Sequence, residues 1–198
     1  DADKRKDIHM AKTAICIADG VEEIEALTVV DLMRRAKLDI DMISVQNRGR
    51  AMGSHCIQFE CDYCLKDIDL NSYDAIVLPG GLKGTENLMN NVKIIDTIQT
   101  FFEKGKLVAA ICAAPTVLGK AGILRDKKAT CYPGMENGLL SAKVSYDPVV
   151  IDGNIITSRG MGTVNDFALE IIRYLADENT AKEIADRVVY SHFEPSES

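Results

Sequence analysis

The residue best placed for covalent chemistry is Cys112, inside Leu107-Val-Ala-Ala-Ile-Cys112-Ala-Ala-Pro115-Thr-Val-Leu118. Leu107 to Ile111 is a continuous apolar run and reads as a buried parallel strand. Pro115 falls where the first turn of a helix tolerates proline. Cys112 is therefore predicted on a sharp strand-to-helix turn. Such a turn exposes a thiol at the sheet edge, sets it at a helix N-terminus that favours thiolate, and offers backbone N–H groups to an oxyanion. It also predicts a sparsely populated backbone conformation at Cys112. The alternative is a buried cysteine acting as a small hydrophobe.

A nucleophile of this kind needs a proton carrier, and Glu25 is the candidate. At helical spacing it shares a row with Val29, Leu32 and Ala36, so its carboxylate is predicted to face inward or into a cleft. Asp31 lines up with Ile24 and Leu27, either as a second functional carboxylate or as an edge residue reaching water. Glu22 and Glu23 fall in a first helical turn, where the helix dipole already explains carboxylates. His55 reads as a surface residue. Cys61 and Cys64 form a CxxC pair without the second pair that zinc spacing requires, so no metal is expected.

These residues must be positioned by a fold. Strands are predicted at Lys12–Ala18, Asp39–Val45, Ala75–Leu78, Leu107–Ile111 and Lys128–Tyr132. Val149–Asp152 and Ile155–Ser158 should form a hairpin around Gly153-Asn154. Helices are predicted from Val21 to about Ala36, Asn91 to Lys104, after Pro115, Val164 to Leu175, and Thr180 to Val189. Gln46 to Gly53 reads as a polar loop, Ser54 to Cys61 as an extended arm, and Leu65 to Leu70 as a connector. Alternation of strands and helices implies a single α/β sandwich around a mostly parallel sheet. Sites in such folds lie beyond the carboxyl ends of the strands. Four such ends carry unusual residues: Asp19–Glu25, Pro79–Gly81, Cys112–Ala113 and Arg159–Thr163. No glycine pattern matches a dinucleotide or P-loop motif, so no cofactor is expected.

The chain has 198 residues, 46% of them hydrophobic, and a net charge of -7. No basic stripe exists, which disfavours nucleic acid and anionic membranes as main partners. No apolar run approaches the ~18 residues of a bilayer span. Six cysteines without a recognisable secretory signal are expected to be reduced thiols in the cytoplasm. The polar stretch Asp1–His9 reads as an expression leader with the native start at Met10; residues 10–198 then form the domain.

Five segments also carry a likeness. Val21-Glu-Glu-Ile-Glu25, Val30-Asp31-Leu-Met-Arg-Arg35, Val77-Leu-Pro-Gly-Gly81, Ala109-Ala-Ile-Cys-Ala-Ala-Pro115 and Thr157-Ser-Arg-Gly-Met-Gly-Thr163 occur in this order. Together they resemble the ThiJ/PfpI superfamily, in the branch of the parkinsonism-associated protein deglycase and glyoxalase III-like proteins. The resemblance implies a flavodoxin-like three-layer sandwich and a homodimer. It implies Cys112 as nucleophile, Glu25 as its carboxyl partner and the Gly81 and Ala113 N–H groups as an oxyanion pocket, with Gly80, Tyr132 and Arg159 around it. Three positions depart from the family pattern. Tyr132 stands where many members have a histidine, which argues against a Cys–His dyad. Ala113 stands where the protease-like branch has a histidine, which argues against peptidase activity. His55 stands where relatives carry an arginine, which weakens an anion site there.

The function expected on this likeness is cysteine-dependent conversion of small reactive carbonyls, of the glyoxalase or deglycase type, on a small aldehyde or glycated substrate. The alternative is a peroxide-responsive sensor or chaperone that uses oxidation of Cys112.

Overall fold

The computed structural model describes residues 11–194, so the leader reading for Asp1–His9 lies outside the described residues. In chain order the elements are β1 (Lys12–Ile17), α1 (Glu23–Arg35), β2 (Asp39–Ser44), β3 (Arg50–Met52), β4 (Gln58–Glu60), β5 (Tyr63–Cys64) and β6 (Ala75–Leu78). There follow α2 (Leu82–Met89), α3 (Val92–Glu103), β7 (Leu107–Ile111), α4 (Pro115–Lys120), β8 (Lys128–Ala129) and β9 (Lys143–Val144). The chain closes with β10 (Val149–Asp152), β11 (Ile155–Ser158), α5 (Val164–Leu175) and α6 (Glu178–Arg187).

Seven strands form the central sheet in the order β10-β11-β7-β6-β1-β2-β5. All pairs are parallel except β10 with β11, the hairpin expected around Gly153-Asn154. Alternate residues of each strand enter opposite layers, as the two-residue period requires. Ala14 and Cys16 of β1, with Val108 and Ala110 of β7, pack toward Phe101 of α3 and Leu118 of α4. Ile15 and Ile17, with Ala109 and Ile111, pack toward Met33 of α1 and Phe167 of α5. Each wholly buried phenylalanine contributes roughly 1.5–3 kcal/mol to its layer. The result is the flavodoxin-like three-layer sandwich.

Two sequence readings need correction, and two elements were not predicted. Residues 46–53 are not all loop: Arg50–Met52 pairs antiparallel with Gln58–Glu60, so the arm is a hairpin whose first strand lies earlier. The predicted strand Lys128–Tyr132 shrinks to Lys128–Ala129 and pairs with β9 outside the main sheet. Helix α2 carries few large apolar residues to mark it, since its inward face uses Gly84 and Thr85 beside Leu88. Tyr63–Cys64 adds an edge strand too short for a pattern to announce.

Candidate functional site

The strand-to-helix turn holds Cys112 at φ +64°, in the left-handed region that non-glycine residues rarely occupy. Such a conformation costs about 1–3 kcal/mol. Its neighbours hold it there: the Cys112 N–H donates to the Ser158 carbonyl at 3.0 Å, and the Tyr132 N–H donates to the Cys112 carbonyl at 2.8 Å. The strain has a geometric effect. Alternation along β7 would send residue 112 to the layer of α3 and α4, with Val108 and Ala110. The left-handed turn instead sets Cys112 against the layer of α1 and α5.

Glu25 waits on that side. It lies in the first turn of α1, only 1% exposed, as its apolar row predicted. Its Oε2 accepts the Gly80 N–H at 2.9 Å, and the Cys112 side chain is its neighbour at Gly80. Gly80 permits this approach. A Cβ there would lie 2.5 Å from Glu25 Oε2 and 2.6 Å from Cys112 Cβ. Gly81 adopts φ +91°, and a Cβ there would meet the Gly20 carbonyl at 2.3 Å, so both positions exclude side chains.

Burial pushes Glu25 up from the ordinary 4.5 to about 7, against the hydrogen bonds from Cys112 and Gly80. Burial, then the Glu25 charge, push the Cys112 thiol up to about 12, while the Gly81 and Ala113 N–H groups pull it down. The expected preference for thiolate at the turn is therefore opposed, first by burial and then by the Glu25 charge. Because the Glu25 charge raises the thiol, the two titrations are coupled. When Glu25 holds a proton, its repulsion of a thiolate disappears and it becomes a donor to sulfur.

Above the sulfur opens a cavity of about 590 Å³, with Glu22, Ser54, Leu82, Ala113, Tyr132 and Met135 among its walls. This is within the usual size range of small-molecule sites. Of the residues expected around the thiol, Gly81, Ala113 and Tyr132 line it. Gly80 sits beneath, its N–H committed to Glu25 rather than open to an oxyanion. Arg159 takes a different position from the one expected. Its guanidinium donates to the Cys131 and Tyr146 carbonyls at 3.3 and 3.4 Å, lies 5.4 Å from the Tyr146 ring and 3.8 Å from Glu136. It ties down the segment carrying Tyr132 and Met135 without lining the cavity.

Other candidates separate from the site. Asp31 bonds Arg35 on the surface at 2.5 Å, which makes it an edge residue. Cys16 is buried and pushed up to about 12 by burial. Burial, then Asp62, likewise raise Cys61 to about 12, a poor setting for redox work by the CxxC pair. Cys131 is buried in the opposite layer from Cys112.

Glu23 is the residue the sequence reading passed over. It is buried, and its Oε1 accepts the N–H groups of His55 at 2.8 Å and Ile57 at 3.4 Å, fixing the turn of the β3–β4 hairpin. Gly53 gives it room, since a Cβ there would fall 2.0 Å from that oxygen. No spacing rule announces a carboxylate that serves a distant loop. Donor atoms of Glu22, Glu23 and His55 lie within 4.8 Å of one another, the group among the described residues close enough to share a cation. The backbone bonds to Glu23 account for its burial without one.

Comparison with known proteins places the chain by family and by fold. A family profile described as DJ-1/PfpI family matches residues 11–174. The chain is 39% identical over 186 residues to Protein DJ-1alpha of Drosophila melanogaster, covering 92% of this chain and 86% of that one. It is 30% identical over 166 residues to a Pyrococcus abyssi protein named deglycase, covering 83% and 99%. The solved structure titled Toxoplasma gondii DJ-1, oxidized, superimposes with a TM-score of 0.88 at 31% identity, covering 92% and 100%.

Proposed function

The chain belongs to the DJ-1/PfpI family, and from that premise we propose that it is a cysteine-dependent enzyme acting on small reactive carbonyls, with Cys112 as nucleophile and Glu25 as proton carrier. The observation that carries this reading is the placement of the buried Glu25 carboxyl and the Cys112 side chain against each other at Gly80, beside an open cavity.

Cys112 thiolate adds to the aldehyde carbon of an α-oxoaldehyde, forming a C–S bond. The carbonyl electrons move to oxygen, and the oxyanion meets the Gly81 and Ala113 N–H groups, the same groups that favour negative charge on the sulfur. Neutral Glu25 protonates that oxygen, giving a hemithioacetal. Glu25 carboxylate then takes the proton from the former aldehyde carbon and returns it to the adjacent carbon. This internal redox exchange leaves the thioester of a 2-hydroxy acid. Water cleaves the thioester, releasing the acid and the thiol. The sum is one oxoaldehyde and one water to one hydroxy acid, with no external oxidant. A carboxyl at about 7 suits both proton transfers near neutrality. The same addition at a glycated amine would appear as deglycation, the activity named for the Pyrococcus relative.

The test is turnover of methylglyoxal to lactate by purified protein. Loss of turnover in Cys112→Ser supports the reading, and equal turnover in that variant contradicts it.

A second reading draws on the oxidised state named for the Toxoplasma structure. Peroxide would transfer one oxygen to the thiolate, giving sulfenate and water, and Glu25 could hydrogen-bond the product. Absent turnover, with Cys112 oxidised at low peroxide, favours this sensor role. The proposal further takes the protein as a cytoplasmic homodimer. Six unpaired thiols fit a reducing compartment. No helix among the described residues is long and apolar enough to cross a membrane.

A further inference from the structure

We propose that the mouth of the Cys112 cavity selects uncharged α-oxoaldehydes carrying an aromatic or branched apolar substituent, with Leu82, Tyr132 and Met135 as the specificity-determining residues. This rests on the reading of Cys112 as a nucleophile toward carbonyls, and adds the part of the substrate that the chemistry leaves untouched.

Leu82 is 74% exposed and Tyr132 50%. Single exposed hydrophobic residues are ordinary on protein surfaces. These two differ because they converge, with Met135, on one cavity that also holds the reactive sulfur. They reach it from different strand ends. Leu82 directly follows Gly81 after β6, while Tyr132 and Met135 belong to the segment after β8. Both sides are fixed to the thiol's own backbone or its donors. The Tyr132 N–H bonds the Cys112 carbonyl at 2.8 Å, and the Met135 N–H bonds the Tyr132 carbonyl at 3.1 Å. Leu82 also has no packing role that explains it, since α2 turns Gly84, Thr85 and Leu88 to the protein. An apolar group on a substrate held at Cys112 would cover this rim and remove it from water.

The charges on the walls work against an anionic substituent. Glu22 places a carboxylate on the cavity, and the Cys112–Glu25 pair carries one further negative charge when it holds a single proton. Lys83 is the cation on this wall, and its Nζ lies 2.8 Å from Glu86, which offsets it. The conversion of R–CO–CHO and water to R–CHOH–COO⁻ and a proton leaves R unchanged. R can therefore rest against the rim throughout.

The experiment compares kcat/KM for phenylglyoxal, glyoxal and 4,5-dioxopentanoate, an oxoaldehyde whose R group carries a carboxylate, each normalised to its reaction with a free thiol. In parallel, mass spectrometry measures alkylation of Cys112 by N-phenyliodoacetamide, iodoacetamide and iodoacetate, normalised in the same way. The expected preference for the phenyl compound is about 10-fold in both series, the scale of burying one apolar group. The carboxylate compounds should be slowest. Leu82→Ser with Met135→Ser should reduce the phenyl-to-unsubstituted ratio to within about threefold of the free-thiol value. Turnover of all oxoaldehydes without preference overturns this inference and leaves the carbonyl chemistry standing. Phenyl preference in alkylation with no turnover of any oxoaldehyde upholds the rim and overturns the carbonyl reading. No preference in either series, or a preference the double variant retains, overturns the inference.

Discussion

Gly80 and Glu25 form the joint on which the site depends: the Gly80 N–H donates to Glu25 Oε2 at 2.9 Å while its missing side chain leaves room for Cys112 Cβ. Glycine at 80 thus serves as a donor and as a space. A methyl group there cannot coexist with both neighbours. Gly80→Ala should lose at least 100-fold in turnover, because displacements near 1 Å cost about that much. It should also lower stability by about 1–3 kcal/mol through overpacking. Steady-state kinetics and thermal melts check both effects.

Glu25 also makes stability depend on pH. Its folded value of about 7 lies above the ordinary 4.5. Between these values the folded chain holds a proton that the unfolded chain has released, so stability must fall as pH rises. The contribution is fully present below 4.5 and lost through about 7. Its size is roughly 3 kcal/mol from the shift. Glu25→Gln removes the titration. Denaturant melts from pH 4.5 to 8 should show wild type losing stability relative to the variant across that window. Parallel profiles would remove the raised carboxyl from the account.

Much of this site could be read from the chain, for identifiable reasons. Leu107–Ile111 ends at a cysteine and is followed by a proline, and both signals are local. Glu25 was legible because one helical period placed it among Val29, Leu32 and Ala36. Arg159 was misplaced because its neighbours Cys131 and Tyr146 arrive through an irregular segment with no periodicity. Glu23 was missed because its partners, His55 and Ile57, lie over thirty residues away. The side to which Cys112 turns was also invisible, since strand alternation predicts the opposite layer and only the left-handed φ reverses it.

Arg159 gives a further test as a positioning residue. Its bonds to the Cys131 and Tyr146 carbonyls hold the segment carrying Tyr132 and Met135. Arg159→Ala should raise KM for an apolar oxoaldehyde about 10-fold while changing kcat less than threefold. Arg159→Lys should not restore KM, because an ammonium lacks the planar fork. A loss confined to kcat would place Arg159 in the chemistry instead.

The homodimer proposal draws on the face of α1 that points away from the sheet. Ile24 is 50% exposed, Leu27 37%, and Ile57 of the hairpin turn 54%. Light scattering should show twice the 21.7 kDa chain mass. Leu27→Lys should shift the population to monomer, since a charge there would be buried against its own copy. A monomer in the unmodified chain would end the proposal.

The shared proton between Glu25 and Cys112 is the central claim, and Glu25→Gln tests it most directly. The measurement pairs methylglyoxal turnover with the rate of Cys112 alkylation by iodoacetamide in the same preparation. An amide still donates a hydrogen bond to sulfur but cannot carry a proton between carbons. The account predicts alkylation within about threefold of wild type and turnover reduced at least 100-fold, the lower range for lost acid–base catalysis. Wild-type turnover in Glu25→Gln would contradict it.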